Sequence, residues 1–246
     1  MLQKRIYRLI LSALITAVWM MILVAATSSE HPQRILTMLG GTMPEGLIQA
    51  FTYLFFVFAV TEIVALSQRI AHENDAFAAR LLPEKDNWVL SIDDVNQLKL
   101  NMQQIEHSQK FMLTDLIKKA CTKYRLSRES AEVLGLVDAQ IRIYNAQIES
   151  EQSFVRYCSW AIPSVGFIGT VLGIAQSLGF ANEADTPEGI AKVTSMLAVA
   201  FDTTLVALLL SIVLMFLVHV LQKRQDELFT RMNSYLIENL INRFYK

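Results

Sequence analysis

The chain has 246 residues, is 53% hydrophobic with a mean hydropathy of +0.34, and carries a formal net charge of −1. Such a composition excludes an ordinary water-soluble domain, and it is long enough for several bilayer crossings at roughly 20 apolar residues each. The near-zero charge says little about partners, and no nucleic acid is expected among them.

The first apolar stretch, Leu9–Ala26, follows Lys4, Arg5 and Arg8. A basic start and Ala25-Ala26-Thr27 could pass for a signal peptide, but the apolar run exceeds a typical signal core, so a retained helix is expected. The second stretch, Leu47–Leu66, is expected to continue as helix through Ser67–Leu82 and to end at Pro83. Both stretches are poor in glycine, and their Leu, Phe and Val suit lipid.

Ser91-Ile92-Asp93-Asp94 reads as a helix start, with Ser91 as N-cap and Asp94 reaching back. Beyond it Val95, Leu98, Met102, Ile105, Met112 and Leu116 recur at helical spacing over about seven turns, up to a break at Tyr124–Ser127. A further helix then carries Val133, Val137, Ile141, Tyr144, Ile148 and Val155 on one face, and runs unbroken into the third apolar stretch, Tyr157–Phe180. The fourth, Val193–Leu221, continues past Lys223 with Leu228, Met232, Tyr235, Leu236 and Leu240 as a stripe. These stripes read as packing between subunits; the alternative is a helical hairpin that covers its own apolar face.

The fold expected is therefore all-α and integral to a membrane, with four transmembrane helices and long cytoplasmic helical extensions. Its parts are residues 1–66 (two transmembrane helices), 67–156 (cytoplasmic helical region), 157–221 (two transmembrane helices) and 222–246 (a C-terminal cytoplasmic helix). Orientation follows from charge. Lys4, Arg5, Arg8, Lys223, Arg224 and the basic Gln68–Arg156 segment contrast with a Thr27–Gly46 loop holding only Arg34, and with the acidic Glu183, Asp185 and Glu188. The positive-inside rule puts both termini in the cytoplasm.

Polar groups interrupt the last two spans. Gly166, Gly169 and Gly173 let a second helix approach closely, and Gly169-x-x-x-Gly173 is a small-xxx-small pair. Thr170 lies ten residues inside Phe180 and Thr203 twelve inside Ala191, both about 15–18 Å deep. Asp202, Thr203 and Thr204 point about 100° apart in succession, so all three cannot line one pore. An Asp at a helix centre costs about 2.5–3.5 kcal/mol, which suggests a role on an ion path; a hydrogen-bonded acid joining two helices is the alternative. No nucleophile–base pair, phosphate loop or metal-ligand spacing accompanies these groups. Cys121 and Cys158 are not placed for a disulfide, and His31, His72, His107 and His219 are scattered. Neither an enzyme nor a cofactor or metal is expected.

Pro163-Ser164-Val165-Gly166-Phe167-Ile168-Gly169-Thr170-Val171-Leu172-Gly173-Ile174 resembles the hallmark of the MotA/TolQ/ExbB proton channel family, and so does Gly189-Ile190-Ala191. The resemblance covers roughly Trp160 to Val220. It implies a ring of five copies whose last two spans line a pore. It also implies two single-span MotB/TolR/ExbD-like partners, each supplying a membrane Asp, in a bacterial inner membrane. By position Thr170 matches the family's pore threonine, and Pro163 belongs to its helix-packing motif. Phe201-Asp202-Thr203-Thr204 departs from the TolQ and ExbB pattern, and no Pro follows Leu205-Val206-Ala207. The function implied is a stator-like channel subunit that conducts protons, with sodium as the alternative ion, and converts their flow into mechanical work. The competing reading is a non-conducting scaffold whose polar residues only join helices. A secondary transporter is weaker, because the chain lacks two similar halves.

Overall fold

The computed structural model describes residues 2–27, 34–41, 46–83, 89–183 and 185–244. His31, most of the Thr27–Gly46 loop and the side chain of Lys4 lie outside them. The described residues form no β-strand; a lone bridge joins Leu90 to Phe244. The helices are α1 (Leu2–Thr27), α2 (Arg34–Met38), α3 (Gly46–Ala78), α4 (Ile92–Ser108), α5 (Met112–Ser127), α6 (Ser130–Gly179) and α7 (Pro187–Asn239). Four of them, α1, α3, α6 and α7, are long and apolar enough to cross a membrane. The fold is all-α, with four spans, as expected.

The chain divides into two compact units. One comprises Met1–Val64 and Gln152–His219, the other Ala65–Glu151 and Val220–Lys246. In the first, α1 buries Ser12, Thr16, Met20 and Leu23, one face at helical spacing, and leaves Ile10, Leu14, Ile15 and Val18 exposed. Lipid can cover that exposed face. Met20 and Leu23 join Tyr53 and Val206 in a core cluster flanked by Leu36, Met38 and Leu39 of the α2 region. The Tyr53 hydroxyl donates to the Leu39 carbonyl at 3.0 Å, which ties α2 down onto the spans.

The second unit corrects three expectations. α3 ends at Ala78, ahead of Pro83. Arg80 adopts a left-handed conformation (φ 45°), after which Leu81 and Leu82 turn inward to be buried. The Leu82 N–H then donates to the Tyr235 hydroxyl at 3.1 Å. Burial of two leucines stops the helix before proline can.

The long periodic run after Ser91 is two helices rather than one. Ser91 and Asp94 form the expected capping box. The helix then breaks at Gln109, whose backbone is extended, and α5 restarts after Phe111. Glu73 of α3 accepts the buried Met112 N–H at 2.7 Å, satisfying a donor that a helix start leaves orphaned. Phe111 is buried and its ring meets that of His72 at a tilt, 4.9 Å between centroids. A contact 39 residues away in the chain overrides local periodicity.

The third correction concerns the stripes. Val133, Val137, Ile148, Leu228, Met232, Leu236 and Leu240 are each buried to 1% exposure or less within a single chain. These seven are covered by their own subunit, while Ile141, Tyr144 and Tyr235 of the same stripes are half-buried. The continuity of α6 and α7 beyond their apolar stretches, by contrast, is as expected.

Cys121 and Cys158 are free and buried, and burial pushes the Cys121 thiol up to about 12. On α5, burial works against the Asp115 carboxylate. Bonds from Lys119 and Tyr144, with the Lys119 and Lys118 charges, outweigh it and hold the acid below the usual carboxylate range. A depressed acid contributes stability that is full above its unfolded value of about 3.9 and is lost as pH falls through the folded one. Thermal unfolding of the detergent-solubilised protein should therefore show an acid-induced loss below about pH 4. Asp115→Asn should flatten that loss and lower stability at pH 7; an unchanged acid limb would count against the assignment.

Candidate functional site in the membrane

The site forms where α6 and α7 run antiparallel with almost no side chain between them. A Cβ on Gly173 would stand 2.6 Å from the Ala200 Cβ, and one on Gly169 would overlap the Thr203 hydroxyl and lie 2.8 Å from its Cβ. A Cβ on Gly166 would overlap Ala207. The three glycines are thus one contact stripe, facing Ala200, Thr203 and Ala207 in turn. Close backbone approach supplies dispersion contacts where lipid offers no hydrophobic driving force. Further out, the Ser177 hydroxyl donates to the Val193 carbonyl at 3.3 Å, extending the same contact.

Pro163 lies inside α6 and withdraws one N–H from its ladder. Hydroxyls on either side make local bonds instead, Ser159 to Val155 O at 3.1 Å and Ser164 to Trp160 O at 3.0 Å.

Thr170 and Thr204 meet across this contact. Their hydroxyls bond each other, while Thr170 also reaches the Ala200 carbonyl at 3.0 Å and Thr204 the Gly166 carbonyl at 2.8 Å. The chain Gly166 O, Thr204, Thr170, Ala200 O has three links and only two hydroxyl hydrogens. One link is always without a hydrogen; when it is the middle one both threonines donate to the carbonyls, and the other two arrangements give the chain opposite polarities. In one, Thr204 donates to Thr170, which donates to Ala200 O; in the other, Thr170 donates to Thr204, which donates to Gly166 O.

Thr203, which the depth count set level with Thr170, does not join that chain. It is 2% exposed, seats on Gly169, and bonds its own Ala200 carbonyl at 2.9 Å. Its geometry is that of a packing residue. Asp202 is half-buried, one position from Thr203 and next to Phe201, which is 60% exposed. It stands outside the threonine chain. Thr170, Thr203 and Thr204 are therefore brought together, and Asp202 faces elsewhere.

One charged site escaped the sequence reading. Glu62, inside the second apolar stretch, is 3% exposed. It accepts a two-pronged bond from Arg8, Nε to Oε1 at 2.9 Å and a second nitrogen to Oε2 at 3.0 Å. Arg5 approaches the same carboxylate at 3.9 Å. The signal was present: a lone acid four residues from one end of a span, opposite basic residues at the start of the antiparallel one. Ile48 touches the Gly169 position, and fourteen residues of α3, about 21 Å of helix, separate it from Glu62. The threonine chain and the ion pair thus occupy different levels.

Four spans, a glycine-lined helix contact and a half-buried pair of bonded threonine hydroxyls define a membrane protein with a polar site between its last two spans. The chain belongs to the MotA/TolQ/ExbB proton channel family, whose sequence model matches residues 107–234, just over half of its length. The match includes all of the α6–α7 contact and reaches back to the end of α4. No curated protein and no solved structure registers as a match to the chain. Family membership assigns an ion-channel-like, motor-associated function, and the family is one of channels rather than enzymes.

Proposed function

We propose that the chain is the channel-forming, stator-like subunit of an ion-motive-force-driven motor in a bacterial inner membrane, with both termini cytoplasmic. Five copies form a ring around two single-span MotB/TolR/ExbD-like partners, and α6 and α7 line the pore. The ion is a proton, with sodium as the alternative. The observation that supports this reading best is the two-polarity chain of Thr170 and Thr204 hydroxyls. Its two hydroxyls are hard oxygen ligands for a desolvated cation, and either can turn to donate to or accept from a water that carries a proton past it. Asp202 would act from another face of α7, as a charge apart from the hydroxyl pair, and Thr203 would hold α7 against Gly169.

The test is ion flux into vesicles containing the chain co-expressed with its single-span partner. Thr170→Val and Asp202→Ala should each lower flux at least about tenfold, equivalent to about 1.4 kcal/mol in barrier. Thr170→Ser, which keeps a hydroxyl, should retain most of it. Unchanged flux and motor output in both first variants would sink the site assignment. The scaffold reading has one observation in its favour, since each of these threonine hydroxyls finds an acceptor within the chain. It predicts reduced assembly in the same variants, with no flux to lose.

A further inference from the structure

We propose that Arg34, the first residue of α2, is the counter-charge of Asp202, and that the two form the outer mouth of the α6–α7 site. Outer here means the side of the spans opposite the N-terminus. Depth places the mouth. Ile48 touches the Gly169 position and is only two residues, about 3 Å, from the start of α3 at Gly46. α6 runs ten residues beyond Gly169, to Gly179, and α7 begins sixteen residues before Thr203. Their hairpin therefore continues about 15 Å past the start of α3. Counted from α3, the threonine pair lies next to the outer end of the spans, where counting from the far ends of α6 and α7 puts it about 15–18 Å deep.

The facing of Asp202 agrees with that level. Val206 packs with Met20, Leu23 and Tyr53, and Leu36, Met38 and Leu39 of the α2 region surround them. Asp202, half-buried and four residues before Val206, lies on the same side of α7, one turn further out. The α2 segment is fixed in place there. Tyr53 donates to the Leu39 carbonyl at 3.0 Å, and the Thr27 hydroxyl to the Gly41 carbonyl at 2.7 Å. Arg34 is exposed, and its charge acts on the Asp202 carboxyl.

The sequence offers few other cations. At this end of the spans it has two Lys or Arg residues, Arg34 and Lys192. Lys192 is ten residues, about 15 Å, further out along α7 than Asp202 and bonds Glu183 at 3.1 Å. An acid inside an apolar span calls for a counter-charge, and a cation beside it also weakens its pull on small cations. Arg34 lies outside the residues 107–234 that match the family, so the N-terminal half of the chain contributes to the site. The charge pair needs only the membrane location of the chain; its effect on ion entry rests on the motor reading.

Charged thiol reagents that do not cross membranes read the pair directly. In sealed vesicles that expose the outer side of the full chain, Asp202→Cys should react with both a sulfonate-bearing and a trimethylammonium-bearing methanethiosulfonate. The buried Cys121 and Cys158 should stay unlabelled. Adding Arg34→Gln should lower the ratio of the anionic to the cationic rate at least about fivefold, and Arg34→Lys should keep it. The ratio at Ile190→Cys, an exposed position near the hairpin tip, should not respond to Arg34. An unchanged ratio on adding Arg34→Gln would overturn the proposal, and so would an Asp202→Cys that neither reagent reaches from the outer side. With the single-span partner present and Asp202 intact, Arg34→Gln should raise cation entry from the outer side at least about twofold at low ionic strength. A shifted ratio with unchanged entry would uphold the charge pair and sink instead the place of Asp202 on the ion path.

Discussion

Gly169→Val should abolish the assembled protein in membranes, and Gly169→Ala should already reduce it severely. A side chain at this position meets the Thr203 hydroxyl and Cβ on the facing helix, with α3 Ile48 on a third side at 3.2 Å. None of these is the free end of a long, flexible chain, so relief requires α6 and α7 to separate. Overpacking a close contact costs about 1–3 kcal/mol, and separation also forfeits the dispersion gain along the Gly166–Gly173 stripe. The α6–α7 spacing also sets the Thr170–Thr204 link, so flux should vanish along with assembly. Pairing Gly169→Ala with Thr203→Gly restores the room, and the double variant should recover much of the yield seen by size-exclusion chromatography. If the double variant fares no better than the single one, the clash is not the cause.

Glu62→Ala should lower thermal stability about as much as a large core truncation. It leaves Arg8 beside apolar surface without its two-pronged partner, and breaking a buried pair from one side costs about 3–5 kcal/mol. Arg8 retains 23% side-chain exposure, so solvent and headgroups recover part of this and about 2–3 kcal/mol is expected. At about 2–4 °C per kcal/mol for a chain of this size, the unfolding temperature should drop by about 4–12 °C. Replacing both partners, Glu62→Met with Arg8→Met, should cost much less, because the remaining cation, Arg5, is over a third exposed and stays solvated. A single Glu62→Ala variant as stable as the parent would mean that the ion pair contributes little to seating α1.

Periodicity served well wherever a helix answers only to its own sequence and to lipid. The continuity of α6 from Ser130 to Gly179 was legible because nothing within it competes with the helix except Pro163, which a membrane span tolerates. The Ser91–Asp94 capping box was legible because cap and partner are three residues apart. The glycine stripe could be read as a contact surface, since nothing but close approach accounts for three small residues on one face of a span. The α4–α5 break and the early end of α3 were not legible, because Glu73 and Tyr235 act from other helices. The pairing of Thr170 with Thr204 rather than Thr203 was equally hidden. Depth counting resolves a level to about one turn, and neighbouring residues on α7 differ by only 1.5 Å along the axis but by 100° around it.

By itself, then, the sequence determined the membrane location, the four spans, the continuity of the long helices and the glycine face of α6. Those follow from the cost of polar groups in lipid and from one-dimensional periodicity, which need no knowledge of neighbours. Tertiary structure alone decided which threonines share a hydrogen-bond chain, that most of the stripe residues on α6 and α7 outside the apolar stretches are covered within one subunit, and that Glu62 is locked to Arg8. Each of these depends on the rotation of one helix about its axis relative to another. That angle is set by the packing of residues far apart in the chain.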